Sequence, residues 1–343
     1  MSEFIPIQPS LINVFKDFPV YILNPDTAEL VRFVARKGEY QHTAIQAIVS
    51  QGIDVFIRVE DHRKNSKLIE DELVRTIQGP INAQTAAVVK DLTILIVSEF
   101  LTAESVREGS YEQTKEHIDR MRRLTEYYVG ILDLDNSQDV LKMIHKTVLK
   151  DYTTSTHSVN LMILALRYVE RFLRPSNRGS FPSELIGNKS QLKEQATEFA
   201  RSWALGALLH DIGKIHVPEE ILKATRRLSD DEFRLMRMHV DMGYDTLIKM
   251  APRLRHDEIV KGGILHHHER LDGSGYPLGL KKLTVSGKVI GILDCYEALT
   301  TDKRPYREAV SPVEALKIVR NDTDAGKFDA GIFANVVRLV ATD

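Results

Sequence analysis

The run His266-His267-His268-Glu269-Arg270-Leu271-Asp272-Gly273-Ser274-Gly275-Tyr276-Pro277, read beside His210-Asp211-Ile212-Gly213-Lys214, holds the residues best suited to chemistry. Imidazole is the commonest protein ligand for first-row transition metals, and carboxylates among imidazoles make a mixed nitrogen and oxygen site. Eight of the twelve histidines fall between positions 157 and 268, which points to one concentrated site rather than scattered surface use. Asp294 follows the apolar run Val289-Ile290-Gly291-Ile292-Leu293. A carboxylate there is costly unless it is paired, hydrogen-bonded or metal-bound. The imidazoles of His157, His210, His239, His267 and His268, with the carboxylates of Asp211 and Asp294, suffice for two metal ions bridged by one carboxylate. Paired metals acidify a shared water and clamp a phosphate for in-line displacement. Lys214, about one turn past Asp211, could neutralise a non-bridging phosphate oxygen.

These side chains must be brought together from separate elements. His157 sits near the start of a strongly apolar helix running to Phe172. The apolar helix from Phe199 to Leu209 ends at His210-Asp211, where Gly213 lets the chain turn away. Ser229 with Glu232 three residues on resembles a capping box opening the helix that carries His239. His267 and His268 begin a glycine-rich loop. From about 137 onward the chain reads as nearly all α, with 174–191, rich in Pro, Ser, Gly and Asn, as an exposed loop.

Upstream, residues 66–136 show helical spacing (Leu68, Ile69, Leu73, Ile77; Val88, Leu92, Leu95, Ile96; Met121, Leu124, Tyr128, Ile131, Leu132), expected to form linking helices with a candidate dimer contact. Residues 1–65 read as a small α/β module. Strands Val20–Leu23 and Leu30–Val34 are joined by the turn former Asn24-Pro25-Asp26, followed by a helix over His42–Ser50 and a strand over Asp54–Val59. The expected fold is therefore mainly α: a module over 1–65, a helical linker over 66–136 and an all-α domain over 137–343.

The 343 residues carry a net charge of −2 and no basic block, which argues against a nucleic acid polymer as partner. The single cysteine, Cys295, excludes an intrachain disulfide framework and reads as a small core residue. Met1 to Ser10 lacks the basic start and apolar run of a signal peptide, and no apolar run is long enough to span a bilayer. A cytoplasmic protein without membrane insertion is the expectation.

His210-Asp211-Ile212-Gly213-Lys214 and His267-His268-Glu269…Gly275-Tyr276-Pro277 resemble the paired motifs of the HD-GYP family, a branch of the HD-domain metal-dependent phosphohydrolases. The likeness extends through Pro218, Ile221-Leu222-Lys223, Leu228-Ser229, His239, Gly243, Asp294, Ala298-Leu299-Thr300, Arg304-Pro305-Tyr306-Arg307 and Gly326-Lys327-Phe328-Asp329, covering about 140–343. The resemblance implies an all-α bundle that hydrolyses cyclic di-GMP, to pGpG or onward to GMP, with two divalent metal ions, iron or manganese. It implies one metal on His157, His210, Asp211 and Asp294 and a second on Asp211, His239, His267 and His268, Asp211 bridging. It places Lys214 on the scissile phosphate, and Tyr276, Arg304 and Arg307 around the phosphates and guanines. The partner implied is cyclic di-GMP; diguanylate cyclase (GGDEF) proteins go with a scaffold role, and a second copy of the chain in a homodimer goes with the candidate contact in 66–136.

Departures from the family pattern carry expectations of their own. Thr153 stands where some members hold a third metal with Glu, which favours two metals here. Glu297 replaces the usual Asp before Ala-Leu-Thr, and Thr301-Asp302-Lys303-Arg304 is one residue longer than usual. The loop 174–191 reads as an insertion.

Milder roles suit several neighbours. His216 and His256 read as hydrogen-bonded structural residues, His266 as a solvent-facing or supporting group, and Glu269 as either an orienter of a ligand histidine or a loop cap. Trp203 reads as core and Arg226-Arg227 as a solvated face. Two functional alternatives stand beside the phosphodiesterase. One is a receptor or scaffold that binds cyclic di-GMP, or a diguanylate cyclase through the Gly-Tyr-Pro loop, without useful turnover. The other is an HD phosphohydrolase of another cyclic dinucleotide or a nucleotide monoester. Residues 1–65 would serve as a sensory or docking module, or as a structural cap.

Overall fold

The structure, a computed structural model, describes residues 4–12, 14–15, 18–24, 27, 29–34, 41–102, 111–133, 136–146, 154–173, 189–222, 224–301 and 309–341. The chain divides into two compact units, Met1–Glu99 with Lys146–Lys150, and Phe100–His145 with Asp151–Asp343. The helical stretch 66–136 contributes to both.

The first unit holds a four-stranded antiparallel sheet of order β1-β4-β2-β3: β1 (Phe4–Ile7), β2 (Tyr21–Leu23), β3 (Leu30–Arg32) and β4 (Val55–Arg58). The expected hairpin is present, Ile22 lying opposite Val31, and Asn24 N–H donates to the Glu29 carbonyl at 2.8 Å to close it. Alternation in β4 buries Val55 and Ile57 and turns Arg58 outward. Strand β1 is an addition to the sequence reading. Pro6 within it argues against a strand, yet β1 is an edge strand, where a missing N–H costs nothing. The helices are α1 (Gln41–Ser50), α2 (Val59–Lys64), α3 (Ser66–Gln78) and α4 (Ala83–Thr102). Ile45, Ile69, Leu73, Val89 and Leu92 are among their buried side chains.

The second unit is all α among its described residues, as expected: α5 (Tyr111–Ile131), α6 (Ser137–Lys146), α7 (Thr154–Tyr168), α8 (Lys189–Leu209), α9 (Glu219–Leu222), α10 (Asp230–Arg237), α11 (His239–Met250), α12 (Glu258–His266), α13 (Val285–Thr300), α14 (Pro312–Asp324) and α15 (Ala330–Val340). Helix α7 is buried on every side from Ser155 to Tyr168, as befits a central helix. It packs against α8 and α13, and α12 packs against the same two helices. Trp203 on α8 is core, 2% exposed. No helix among the described residues is long and apolar enough to cross a membrane.

One local expectation is corrected. Ser229 does cap a helix, with the reciprocal Glu232 contact of a capping box, but that helix is α10 and it ends at Arg237. His239 instead opens α11, the two helices meeting at Met238. The Met236 carbonyl accepts the His239 Nδ1–H at 2.6 Å across this junction.

Candidate metal centre

Helix α8 ends as its last apolar turn meets His210, and after Asp211 a short 3₁₀ turn over Ile212–His216 carries Lys214 and packs against α11. Gly213 makes this approach possible. A Cβ there would lie 1.9 Å from the His239 carbonyl oxygen and 2.5 Å from Gly243 N. Contact this close presses the His-Asp turn against the start of α11. His157 comes from the first turn of α7, His267 and His268 from the end of α12, and Asp294 from the middle of α13.

The seven side chains gather as two clusters, His157 with His210 and Asp294, and Asp211 with His239, His267 and His268. Asp211 faces both. Its Oδ2 lies 3.1 Å from His210 Nε2 and 3.8 Å from His157 Nε2. Its Oδ1 lies 3.2 Å from His239 Nε2 and 3.9 Å from His267 Nε2. His157 Nε2 also meets Asp294 Oδ1 at 3.0 Å. All but His268 are buried.

Tautomers decide whether cations fit among these groups. His210, His239 and His267 each direct Nδ1 at a backbone carbonyl: Ala207 at 2.8 Å, Met236 at 2.6 Å and Ile264 at 2.8 Å. A carbonyl only accepts, so Nδ1 carries the proton and Nε2 keeps its lone pair. Three lone pairs therefore converge on carboxylate oxygens that also only accept. Among the described residues neither His210 Nε2 nor Asp211 Oδ1 has a hydrogen-bond partner, although both are buried. Acceptors facing acceptors in a buried space are what a cation resolves.

Protons resolve the same crowding where no cation does. Burial raises the Asp211 pKa, but His210, Lys214 and His239 outweigh it and hold the carboxyl well below the usual carboxylate range. Asp294 is likewise held down, by His157 above all, against burial. Burial pushes His268 down to about 3, leaving it neutral at physiological pH, and holds His267 low as well. His157 goes the other way. Burial would lower it, yet Glu297 and Asp294 push it up to about 9, a sign of surplus negative charge.

Supporting residues complete the site. Glu297, one of the departures read above, is 1% exposed. It accepts from His157 Nδ1, from Asn160 Nδ2 at 2.8 Å and from Thr301 Oγ1 at 2.7 Å. Sequence reasoning missed this role for Glu297 and Asn160. The available signal was spacing, since His157 with Asn160 and Asp294 with Glu297 each stand three apart on one helix.

Glu269 proves to be a loop fastener, accepting the N–H groups of Leu278 at 2.8 Å and Leu280 at 2.9 Å. His266 turns to Thr284 Oγ1 at 3.2 Å and stays outside both clusters. Cys295 lies against the core, and burial pushes its thiol up to about 11, so it stays an inert thiol.

A cleft of about 570 Å³ opens beside the second cluster, lined among others by Lys214, Arg226, Arg227, Phe233, His268 and Tyr276. Lys214 Nζ lies 2.5 Å from Asp211 Oδ2. The Tyr276 ring stacks on His268 with centroids 4.5 Å apart. Arg304, Arg307, Thr153, the inserted residues 174–188 and the longer tract at Asp302 and Lys303 lie outside the described residues.

The profile of the HD domain matches residues 158–332, just over half of the chain. The chain belongs to the HD-domain family. The likeness to its HD-GYP branch, read from the motifs, is borne out. The matched relatives include a 3'3'-cGAMP-specific phosphodiesterase of Vibrio cholerae, 36% identical over 143 residues, which are 41% of this chain and 32% of that one. A protein of Pseudomonas aeruginosa named as a cyclic di-GMP phosphodiesterase is 37% identical over 142 residues, 41% and 33% of the two chains. This HD-domain chain thus spans about a third of the length of the curated relatives it matches. An HDG"Y"P protein from Bdellovibrio bacteriovorus shares the fold, with a TM-score of 0.63 over 99% of this chain and 100% of that one at 17% identity.

Proposed function

We propose that this HD-domain protein is a metal-dependent phosphodiesterase that opens cyclic di-GMP, giving pGpG or, with a second cleavage, GMP. The carrying observation is Asp211, whose two oxygens face two separate histidine clusters. In this reading His157, His210, Asp211 and Asp294 would hold one divalent cation and Asp211, His239, His267 and His268 a second, taken as iron or manganese from the family resemblance, since imidazole and carboxylate donors serve several first-row metals. The cations would supply a water acidified at neutral pH and neutralise charge on the phosphate.

The protein's own groups do the rest. Carbonyls at Ala207, Met236 and Ile264 fix three imidazoles with Nε2 inward. Lys214, at the cleft wall beside Asp211, would meet a non-bridging phosphate oxygen and stabilise the charge that grows on it. Tyr276, held by its stack on His268 and by its N–H to the His268 carbonyl at 3.2 Å, would set the ligand's position. Cleaving one P–O3′ bond leaves a linear dinucleotide with a 5′-phosphate. Arg304 and Arg307 would complete the phosphate and guanine contacts. GGDEF proteins as partners, a homodimer and a cytoplasmic setting belong to the same reading, as do the functional boundaries at 65 and 136.

Relatives of nearly equal identity are named for 3'3'-cGAMP and for cyclic di-GMP, so the test takes both. Chain loaded anaerobically with iron or manganese should convert cyclic di-GMP, and Asp211→Ala should abolish conversion. Preferential turnover of 3'3'-cGAMP would reassign the substrate. No turnover of either would overturn the enzyme reading.

A further inference from the structure

Helix α10 buries none of its eight residues, so packing within the bundle does not account for the apolar side chains it carries. Phe233 lines the cleft and is 42% exposed. Its ring stands edge-on to Tyr276 with centroids 6.4 Å apart. The Arg237 guanidinium lies 4.5 Å from the Phe233 centroid and 4.9 Å from that of Tyr276, bracing the pair. Tyr276 already stacks on His268. Phe233 therefore offers the more accessible aromatic surface of the two.

The acids at the start of α10 divide their work. Glu232 is taken by Arg226 at 2.6 and 2.7 Å and by the Ser229 N–H at 2.8 Å. Asp231 faces Arg234 at 3.1 Å. Asp230 lines the cleft, and among the described residues no cation pairs with it. An aromatic surface, an uncommitted carboxylate and nearby cations thus share one cleft wall beside the metal centre.

Resting on the phosphodiesterase reading, we propose that α10 is the nucleobase-recognition wall, with Phe233 as the stacking platform for a purine and Asp230 as the reader of its edge. A carboxylate only accepts hydrogen bonds. Guanine offers it two donors, N1–H and the exocyclic N2–H. Adenine presents a lone pair at N1, so the same carboxylate disfavours it. Lys214 and Arg227 on the cleft wall suit the phosphates that accompany the base.

Phosphorothioate analogues of cyclic di-GMP and cyclic di-AMP, whose hydrolysis is slowed, titrated calorimetrically into the manganese-loaded full chain provide the test. Phe233→Ala should weaken both analogues by about 5- to 150-fold, the usual worth of one stacked base, and Phe233→Trp should retain affinity. Asp230→Asn should cut the preference for guanine over adenine by about tenfold or more. A merely structural role would leave that ratio unmoved. Thermal midpoints should stay parental, because neither side chain is buried. Unchanged affinity in Phe233→Ala, or an unchanged guanine preference in Asp230→Asn, overturns the proposal and leaves the phosphodiesterase reading standing. A parent chain that binds neither analogue overturns both.

Discussion

On the two-cation proposal, replacing Glu297 by Gln should weaken one metal site and spare the other. Burial pushes this carboxyl up, but His157 and the bonds from Asn160 and Thr301 outweigh burial and hold it at about 2, so it is ionised at neutral pH. Three donors converge on its two oxygens. Glutamine keeps the shape and exchanges one oxygen for an amide NH₂. Turned towards His157, that NH₂ forces the imidazole into the tautomer with its proton on Nε2, where a cation must bind. Turned the other way, it confronts the Asn160 amide. A buried hydrogen bond to a charged group is worth about 1.5–3 kcal/mol, a factor of about 12 to 160. Outer partners of metal ligands generally cost about 10–100-fold in affinity when lost. Glu297→Gln should thus lower affinity at His157, His210 and Asp294 by about 10–100-fold. Affinity at the cluster of His239, His267 and His268 should stay within about threefold, since none of these contacts Glu297 among the described residues. Titration of free Mn(II) by electron paramagnetic resonance reads both sites at once. Parental binding at both sites, or equal weakening of both, would refute the reasoning.

Three further outcomes follow from the same geometry. Gly213→Ala forces a methyl against the His239 carbonyl at 1.9 Å, so thermal denaturation should show a loss of about 1–3 kcal/mol; a parental midpoint would contradict the close packing. Lys214→Met should lower kcat by about 10²–10³-fold while two manganese ions still bind; a parallel loss of metal would assign the lysine to the metal site instead. In the first unit, burial pushes Asp91 up from 3.8 to about 6, against the bond from Ser10. The folded state therefore holds this proton more tightly than the unfolded chain, and the stability it contributes below about pH 4 is lost as pH rises through about 6. A carboxyl moved from 3.8 to about 6 corresponds to about 3 kcal/mol. The parental unfolding midpoint should fall more between pH 5 and 7 than that of Asp91→Asn, and identical pH profiles would contradict this.

The clustered residues of the candidate metal centre were legible because polar groups in apolar surroundings announce a cost that something must offset. Asp294 inside Val289–Leu293 and His210-Asp211 at the end of an apolar helix are of this kind. The mainly helical second half was legible through its periodicity. What stayed hidden depended on partners distant in sequence. Glu297 reads as an ordinary helical acid until His157, 140 residues away, is placed on its carboxylate. Strand β1 was masked by Pro6, whose tolerance depends on an edge position in the sheet. The junction at Met238 was masked because helical spacing runs through it, while the His239 imidazole takes up the Met236 carbonyl. Glu269 allowed two readings, and only the backbone of Leu278 and Leu280 chose between them.

Metal analysis of the anaerobically purified chain, paired with a cyclic di-GMP turnover assay on the same sample, tests the shared-carboxylate centre most directly. Two divalent ions per chain are expected, both weakened by Asp211→Asn, with turnover that rises with occupancy of the second ion. One ion or none at saturating metal, or an Asp211→Asn variant that still binds two, would contradict it.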